Sequence, residues 1–454
     1  MIILGLNIFH GDSSACLIRD NKIISAAEEE RYTRIKHFSG FPINSINFCL
    51  ENSNLSIEEI DFISVNFNSK YNLKDKILFM LKNFLHTNFF PRFTLTLKKN
   101  SIKNIIYQNY NKKINIKPIH VPHHISHIAS SFLCSGFRES IGFSYDGAGD
   151  FSSTEIFICK GTEMNLIEKV LFPHSLGVFY QAFTQFLGFK NYGEEYKVMG
   201  LAAYGKPIYK NRVYKLLDLK NNNFFKLNLE YYKHYKETFS YFQESGSPFF
   251  DNLYSQKFEE LFGSPRDISE DVTEYHKNLA SSMQTVMEEL VINKLNDLYE
   301  KHQIKNLCLA GGCAFNSSLN GKILKNTKYN NIYISPNVGD AGGAIGSALV
   351  SASRSEKKFK NVKMTNPFLG PSYTNEYIEK NIISILRRTG HNINYKYYEN
   401  FEEIIEEVCK LLLNKKVIGW FQDKMEWGPR ALGNRSIIAD PRNENVRDLI
   451  NLKI

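Results

Sequence analysis

The 454-residue sequence lacks several features that mark other classes of protein. Its seven cysteines form no Cys-x-x-Cys pair and several stand in apolar stretches, so we expect reduced core residues of a cytoplasmic protein. The N-terminus has no basic segment before its first apolar run, which ends too early for a signal peptide. No window approaches about 20 continuous apolar residues, so no membrane helix is predicted.

Neither sign of charge dominates. The chain carries 56 Lys and Arg against 47 Asp and Glu, a formal net charge of +9 whose excess is scattered. This gives no reason to expect a nucleic-acid partner. The 43% hydrophobic content is that of a globular protein, and about 150 residues per domain predicts two or three domains.

Two common nucleotide-binding signatures are also absent, the dinucleotide fingerprint GxGxxG and the P-loop GxxxxGK[ST]. Instead, glycine-rich loops at 310–316 and 339–346 each stand between an apolar strand and a helix of small residues. Such glycines let backbone N–H groups approach a nucleotide, and close helix–strand packing is the alternative. With an N-terminal β-meander, the loops favour a duplicated α/β fold of the actin, sugar-kinase and Hsp70 class, which binds ATP.

The order of these patterns predicts the domain organisation. Residues 1–365 are expected to form one α/β domain with two lobes, at about 1–170 and 171–365. An irregular, aromatic insertion is expected at about 205–275. The composition changes after the prolines at 367 and 371, which predicts a second domain over 366–454.

A histidine cluster stands at the start of a predicted helix. His123 and His127 would lie one turn apart on one face, where they can hold one metal ion. His124 competes as the partner of His127, so the spacing does not decide between them. Asp146 and Asp340 follow predicted strands, and two His with two Asp suit iron or zinc better than a magnesium cage. A turn carboxylate that caps a backbone amide is the alternative for Asp146.

Two further motifs carry candidate chemistry. His10 stands in the first hairpin turn, either as a general base or as a turn residue without chemistry. Arg430 and Arg435 flank a Gly-Pro turn and form a candidate anion site, because guanidinium forks bind phosphate bidentately. Solvated surface arginines are the alternative.

These motifs resemble, in their order along nearly the whole chain, those of the NodU/CmcH carbamoyltransferase family. The matching stretches are residues 5–15, 27–37, 123–127, 195–205, both glycine-rich loops and 427–442. Members of this family transfer a carbamoyl group to a hydroxyl of a sugar, antibiotic or other small metabolite. The resemblance implies a Kae1-like domain of the actin/Hsp70 class, a duplicated RNase-H-like fold, followed by the start of a YrdC-like α/β domain.

The resemblance also implies a reaction. Carbamoyl phosphate and ATP would form carbamoyl adenylate in the YrdC-like domain, with release of phosphate and pyrophosphate. The acceptor hydroxyl would then attack the adenylate in the Kae1-like domain. The implied cofactors are ATP, carbamoyl phosphate and a divalent metal, with Fe²⁺ favoured and Mg²⁺ a further candidate. A cytoplasmic enzyme with a small-molecule acceptor is implied, a homodimer is a candidate assembly, and neither nucleic acid nor a membrane is an expected partner.

The resemblance assigns roles to individual residues. His10 and Asp12 are the implied catalytic pair, with His10 deprotonating the acceptor. The implied metal ligands are His123, His127, Asp146 and Asp340; the nucleotide-binding residues are Gly311, Gly312, Asn316, Gly339, Gly342 and Gly343; the substrate- or anion-binding residues are Lys36, Lys197, Arg430 and Arg435.

Other interpretations of the chain remain open. Family members continue well past residue 442, so the second domain is expected to be truncated, and an inactive or split ATP-binding subunit is one alternative. Threonylcarbamoyl transfer to tRNA uses related folds and would require an RNA-binding surface. A sugar kinase is disfavoured, because a kinase holds Mg²⁺ through carboxylates and needs no paired histidines.

Overall fold

The structure is a computed structural model that describes residues 1–83, 101–112, 116–219, 224–236, 246–355, 359–389, 394–446 and 450. The chain divides into two compact units, Met1–Thr365 and Asn366–Ile454. Residues 220–223 and 237–245 of the insertion expected at about 205–275 lie outside the described residues. Among the described helices, none is both long and apolar enough to cross a membrane.

The first unit contains a five-stranded sheet with the order β3-β2-β1-β4-β5. Its strands are β1 (Ile2–Asn7), β2 (Ser14–Arg19), β3 (Lys22–Glu28), β4 (Phe62–Val65) and β5 (Ile119–His120). The first three strands form an antiparallel meander, and β4 and β5 extend the sheet in parallel with β1. Apolar residues run almost continuously along β1, which is typical of a strand covered on both faces.

A second five-stranded sheet repeats this plan, with the order β12-β11-β6-β7-β8. Its strands are β6 (Glu139–Gly149), β7 (Ser152–Lys160), β8 (Glu163–Leu171), β11 (Asn306–Ala310) and β12 (Asn331–Ile334), and the pair β9 (Leu217–Asp218) and β10 (Lys226–Leu227) stands apart. Here β6, β7 and β8 form the meander, and β11 and β12 follow in parallel with β6. The repeated topology confirms the duplicated α/β fold of the actin/Hsp70 class.

The lobes divide earlier in the chain than the expected boundary near residue 170. The meander of β6, β7 and β8 belongs to the second sheet, so the strands of the first sheet end at His120. The pattern of short apolar strands shows that a meander is present, but it does not say which sheet the meander joins. The spatial boundary is set by the parallel pairing of β6 with β11, more than 150 residues later.

Within its described residues, the first unit has the α-helices α1 (Glu30–Thr33), α2 (Ile43–Glu51), α3 (Leu73–Lys82), α4 (Ile102–Tyr110), α5 (His123–Ser135), α6 (Leu176–Phe186), α7 (Glu195–Ala202), α8 (Lys210–Val213), α9 (Gln256–Phe262), α10 (Glu274–His302), α11 (Ser317–Asn326) and α12 (Gly342–Ser355). One apolar cluster joins α2 and α4 to the first sheet. A larger one joins α6, α9 and the long α10 to the second sheet.

Helices α5 and α12 form a central layer between the two sheets. α12 packs on β1, β2 and β4, whereas α5 packs on β6 and β11, and the two helices pack on each other. Small residues allow this close approach. A Cβ at Gly346 of α12 would lie 1.7 Å from the carbonyl oxygen of Ser126 in α5, and a Cβ at Gly5 of β1 would lie 2.1 Å from that of Ala344.

The second unit contains α13 (Asn375–Thr389) and α14 (Phe401–Leu413), followed by the antiparallel strands β13 (Ile418–Phe421) and β14 (Arg435–Ile438). The loop between these strands is fixed by the buried Glu426. Its Oε1 accepts hydrogen bonds from the backbone N–H groups of Leu432, Asn434 and Arg435.

Replacing Gly346 by alanine is expected to lower the free energy of unfolding by about 1–3 kcal/mol, because the added Cβ overlaps the α5 backbone. Gly321 is a matched control, since it is also helical but has open space around its Cβ position. Gly321→Ala should raise the free energy of unfolding by up to about 1 kcal/mol. Urea denaturation measures both variants, and equal effects would contradict the close packing of α5 on α12.

Candidate metal centre and active site

The start of helix α5 is held by an acidic residue of the β6–β7 turn. Pro122 precedes the first helical residue and offers no side-chain cap. The Asp150 Oδ2 atom fills this role, accepting hydrogen bonds from the N–H groups of His123 and Asn68 at 2.9 Å each. Burial raises the pKa of Asp150. Sequence reasoning gave Asp150 no role, although an acid at a glycine-containing turn is a recognisable capping signal.

Four side chains converge at the centre of the first unit. They are His123 and His127 from α5, Asp146 from β6, and Asp340 from the loop before α12. The His127 Nε2 atom lies 3.0 Å from Asp146 Oδ2 and 3.3 Å from Asp340 Oδ1. The His123 Nε2 atom lies 3.0 Å from His127 Nε2 and 3.5 Å from each of the same two oxygens. The structure thus brings the four sequence-predicted ligands together.

This arrangement fits a divalent transition metal. Ligands of a tetrahedral ion with bonds of about 2.1 Å are about 3.4 Å apart, which is close to the separations of these four atoms. The Asp146 Oδ2 and Asp340 Oδ1 atoms are buried and accept no hydrogen bond of good geometry. A shared cation would satisfy both oxygens. Imidazole ligands favour iron or zinc over Mg²⁺, which takes oxygen ligands in an octahedral cage.

Electrostatics also favour a cation here. Burial and the neighbouring His127 lower the pKa of His123. Burial lowers the pKa of His127 as well, but the Asp146 and Asp340 carboxylates outweigh it and raise the pKa to about 9. Burial acts to raise the pKa of Asp146, yet the two imidazoles hold it well below its ordinary value. Without a metal the site therefore holds two carboxylates against one imidazolium.

His124, the competing candidate on α5, points away from this cluster. Its Nδ1 atom lies 2.7 Å from Ser144 Oγ and its Nε2 atom lies 3.1 Å from the carbonyl oxygen of Ser152. Both ring nitrogens are therefore occupied by the second sheet. Burial lowers the pKa of His124 to about 4, so it is a neutral core residue.

His10 lies in the turn between β1 and β2, next to the metal ligands. Its Nδ1 atom contacts Asp340 Oδ2, while the other oxygen of the same carboxylate faces His123 and His127. The turn is held by Asn7, whose Nδ2 donates to the carbonyl oxygens of residues 11 and 12 at 2.9 Å each. One carboxylate therefore joins the candidate base to the candidate metal centre.

Asp12, the second expected catalytic residue, contacts a different histidine. Its Oδ1 atom lies 2.7 Å from His37 Nδ1. Burial lowers the pKa of His37, but the Asp12 charge and hydrogen bond outweigh it, so the net shift is upward. Other charged groups also act on this pair, among them Glu28, Glu30, Arg31, Lys36 and Glu195. Sequence reasoning included His37 in a matched stretch but assigned it no role.

The glycines of the two loops have packing roles. A Cβ at Gly342 would lie 2.0 Å from the Asn337 carbonyl oxygen, and one at Gly343 would lie 2.3 Å from Asn66 Nδ2. Gly311 has a left-handed φ of +88°, and its Cβ position faces the backbone of Tyr145. Gly339 is buried beside a phenylalanine ring.

Gly312 differs from the other four glycines expected to bind nucleotide, because it is partly exposed and its Cβ position lies 3.0 Å from Asp146 Oδ1. Asn316 caps α11 by accepting from the Leu319 N–H, and its amide pairs reciprocally with Gln284 at 2.9 and 3.0 Å. Nucleotide binding by these residues stays a prediction.

Two of the four expected anion-binding residues lie in the first unit and two in the second. The Lys36 Nζ atom lies 4.9 Å from the ring centroid of Tyr196, and Lys197 Nζ pairs with Glu194 Oε1 at 2.6 Å. In the second unit, Arg430 is exposed, and an Arg435 nitrogen donates to the carbonyl oxygen of residue 428 at 3.0 Å. Their binding of anions stays a prediction.

Two family models and several known proteins are similar to this chain. A family model described as carbamoyltransferase N-terminus matches residues 2–349, and one described as carbamoyltransferase C-terminus matches residues 409–454. An uncharacterized protein of Synechocystis sp. is 37% identical, over 100% of this chain and 73% of its own length. Nodulation protein NolNO of Sinorhizobium fredii is 31% identical, over 98% of this chain and 60% of its own length.

Among solved structures, component A of the (R)-2-hydroxyglutaryl-CoA dehydratase of Acidaminococcus fermentans is similar with a TM-score of 0.41 and 13% identity. The match covers 77% of this chain and 96% of that one.

Replacing Gly149 by alanine is expected to weaken metal binding without removing a ligand, because a Cβ there would lie 2.0 Å from the His123 ring. We expect the affinity for Fe²⁺ or Zn²⁺ to fall by about 10–100-fold, as when an outer-shell support of a ligand is lost. Gly147 of the same strand has nothing within 4 Å of its Cβ position, so Gly147→Ala should bind like the wild type. Competition with a chromogenic chelator measures both, and unchanged affinity in Gly149→Ala would exclude His123 as a ligand.

The Asp12–His37 pair predicts a measurable titration. Selective ¹⁵N-histidine NMR should give His37 a pKa above its ordinary value of about 6.5, and Asp12→Asn should lower it. A histidine with a raised folded-state pKa contributes stability that is present below the unfolded pKa and is lost as the pH rises through the folded one. Asp20→Asn, at the next hairpin turn, should leave the His37 titration unchanged. A His37 pKa that does not respond to Asp12→Asn would show that the pair does not form.

Proposed function

The chain belongs to the carbamoyltransferase family, and from this membership we propose that it transfers a carbamoyl group to a hydroxyl of a small metabolite. The proposed donor is carbamoyl adenylate: water cleaves carbamoyl phosphate to carbamate and phosphate, and the carbamate oxygen then attacks the α-phosphorus of ATP with release of pyrophosphate. A sugar, nucleotide sugar or secondary metabolite is the proposed class of acceptor. The acceptor oxygen forms a bond to the carbamoyl carbon, and the bond from that carbon to the AMP oxygen breaks.

One observation carries this proposal: a candidate base and a candidate metal centre share the Asp340 carboxylate. Its Oδ2 atom contacts His10 Nδ1, and its Oδ1 atom lies 3.3 Å from His127 Nε2. Acyl transfer to a hydroxyl requires a base for the hydroxyl proton and stabilisation of the carbonyl oxygen. The shared carboxylate holds groups suited to these two tasks next to each other.

His10 is the proposed general base. Burial acts to raise the pKa of Asp340, but the interactions of its carboxylate with His10 and His127 outweigh it and hold the pKa below its ordinary value, so the group stays ionised. In the neutral form of the His10 ring, this carboxylate accepts the Nδ1 proton, and Nε2 is then the nitrogen that can take the proton of the acceptor hydroxyl. The side chain of His10 is 19% exposed, so an incoming acceptor can reach the ring.

The proposed metal ligands are His123, His127, Asp146 and Asp340, with Fe²⁺ the favoured ion. A bound divalent metal supplies Lewis-acid polarisation of a carbonyl or phosphoryl oxygen. The chain's own contribution is to fix the ligand directions. α5 presents the two imidazoles one helical turn apart, and β6 and the loop before α12 present the two carboxylates.

We place the adenylate beside Gly311, Gly312 and Asn316. Of the five glycines expected to bind nucleotide, Gly312 is the partly exposed one, and it adjoins Asp146. The remaining glycines would act indirectly: Gly342 and Gly343 let α12 approach Asn337 and Asn66, and Gly339 lets its loop approach the Phe315 ring.

Formation of the adenylate is proposed for the second unit. Glu426 orders the loop that carries Arg430 and Arg435 through three backbone hydrogen bonds. Burial acts to raise the pKa of Glu426, but those hydrogen bonds outweigh it and lower the pKa. A preordered loop with two guanidinium groups suits the phosphates of ATP or carbamoyl phosphate.

Incubating the metal-bound chain with synthetic carbamoyl adenylate and a panel of sugars, nucleotide sugars and aminocyclitols tests the transfer. We expect AMP release together with a carbamate ester, detected by mass spectrometry. His10→Gln should lower the rate about 10²–10⁴-fold, because general-base catalysis is lost. His302→Gln, at the end of α10, is the control and should be unaffected.

Transfer that proceeds equally fast in His10→Gln would contradict the role of His10. Carbamoylation of tRNA in place of every small hydroxyl acceptor would contradict the proposed substrate class. A parallel reaction with ATP, with and without carbamoyl phosphate, tests whether this chain forms the adenylate itself, through pyrophosphate release.

A further inference from the structure

A second group of metal-ligating side chains stands close to the first, formed by Asp12, Glu30 and His37. Its atoms already have partners within the protein. Glu30 Oε1 pairs with Arg31 at 2.7 Å, Glu30 Oε2 accepts the backbone N–H of His37 at 2.7 Å, and Asp12 Oδ1 contacts the His37 ring. An ion-pair network of this kind requires no second metal. Its position, two residues from His10, indicates a different role.

We propose that Asp12 and His37 form a clamp that positions the β1–β2 turn, and through it the imidazole of His10, for proton transfer. Both are positioning residues in this assignment and neither touches the substrate. The proposal rests on the function proposed above and deepens it: Asp12 acts on the base through the backbone and does not share its proton.

The turn needs a restraint from outside its own sequence. Phe9 and Asp12 have φ values of 50° and 60°, in the left-handed region that is unfavourable for an L-residue. Neither is a glycine, so the conformation persists only where surrounding contacts hold it. His10 stands between these two residues, and a relaxed turn would move its ring away from Asp340.

The segment 37–40 supplies the restraint. The Phe9 N–H donates to the Gly40 carbonyl oxygen at 3.0 Å, and the Ser13 N–H donates to the Phe38 carbonyl oxygen at 2.9 Å. The Ser13 hydroxyl donates to Gly40 at 2.8 Å and reaches the His10 carbonyl oxygen at 3.2 Å. These bonds hold both ends of the turn. In addition, the His37 side chain of this segment contacts the Asp12 side chain of the turn.

His37 is itself fixed from three sides. Its backbone N–H donates to Glu30 on α1, and its ring meets the Tyr192 ring edge-on, with centroids 5.2 Å apart. Gly193 lets the ring approach, since a Cβ there would lie 2.1 Å from His37 Nε2. Gly11 of the turn packs on the same tyrosine, with its Cβ position 2.9 Å from the hydroxyl oxygen. These contacts hold His37 in a fixed position, which a positioning role requires.

Hydrogen exchange measured by mass spectrometry on the full chain tests the clamp directly. In Asp12→Asn and His37→Ala, the peptide over residues 8–14 should exchange at least about tenfold faster than in the wild type. Asp20→Asn is the matched control, because Asp20 is also an aspartate with a left-handed φ at a hairpin turn of the same sheet. Unchanged exchange at 8–14 in both clamp variants, or equal acceleration in Asp20→Asn, would overturn the proposal.

Kinetics separate positioning from general destabilisation. In the transfer assay with carbamoyl adenylate, the clamp variants should lower kcat by about 10–100-fold, since a displacement of about 1 Å can cost about 10² in rate. KM for the adenylate and the metal affinity should stay at the wild-type values, because neither residue contacts them. His37→Gln, which keeps a hydrogen-bond donor, should recover part of the rate lost in His37→Ala.

A rise in KM or a loss of metal with no separate effect on kcat would overturn the positioning role. A second metal equivalent, present in the wild type and lost in His37→Ala, would also overturn it in favour of a metal site. If the wild type transfers no carbamoyl group, the proposed function fails, whereas the exchange measurement still decides whether the clamp orders the turn.

Discussion

The Asp340 carboxylate is the group on which the architecture of the first unit converges. One oxygen contacts His10 in the first sheet's hairpin turn, and the other faces His127 on the helix that covers the second sheet. Asp340 is held in place because α12, which follows it, packs on β1 while its Gly346 contacts the backbone of α5. A carboxylate shared in this way leaves little freedom to either lobe, since moving one lobe alone would break one of its two contacts.

Local sequence patterns predicted much of the candidate site. Helical periodicity placed His123 and His127 on one face, and the structure brings their Nε2 atoms to 3.0 Å. Periodicity alone could not exclude His124, because a choice between neighbouring helix faces depends on what packs against each. Here Ser144 and Ser152 of the second sheet take both ring nitrogens of His124. The convergence of Asp146 with Asp340 depends on tertiary pairing, and no local signal specifies it.

Other features were less accessible to sequence reasoning. The glycine loops were compatible with ligand binding and with close packing, and the surroundings of Gly342 and Gly343 show packing against Asn337 and Asn66. The partner of Asp12 could not be foreseen, because His37 lies 25 residues away and its pairing follows from the path of the chain after α1. The boundary between the lobes lies before the expected residue 170 for the same reason, since β6 pairs with a strand that comes much later in the chain.

The four converging side chains also impose an order on biosynthesis. Residues 123, 127 and 146 leave the ribosome long before residue 340, so the complete ligand set is present only when most of the first unit has been synthesised. An ion that binds all four side chains would therefore meet a largely synthesised first unit and not an early nascent chain. Because an ion held by residues so distant in sequence binds the folded form and not the unfolded one, its capture would also stabilise the lobes after they have met. The stability of the folded first unit would then depend on the concentration of the free ion.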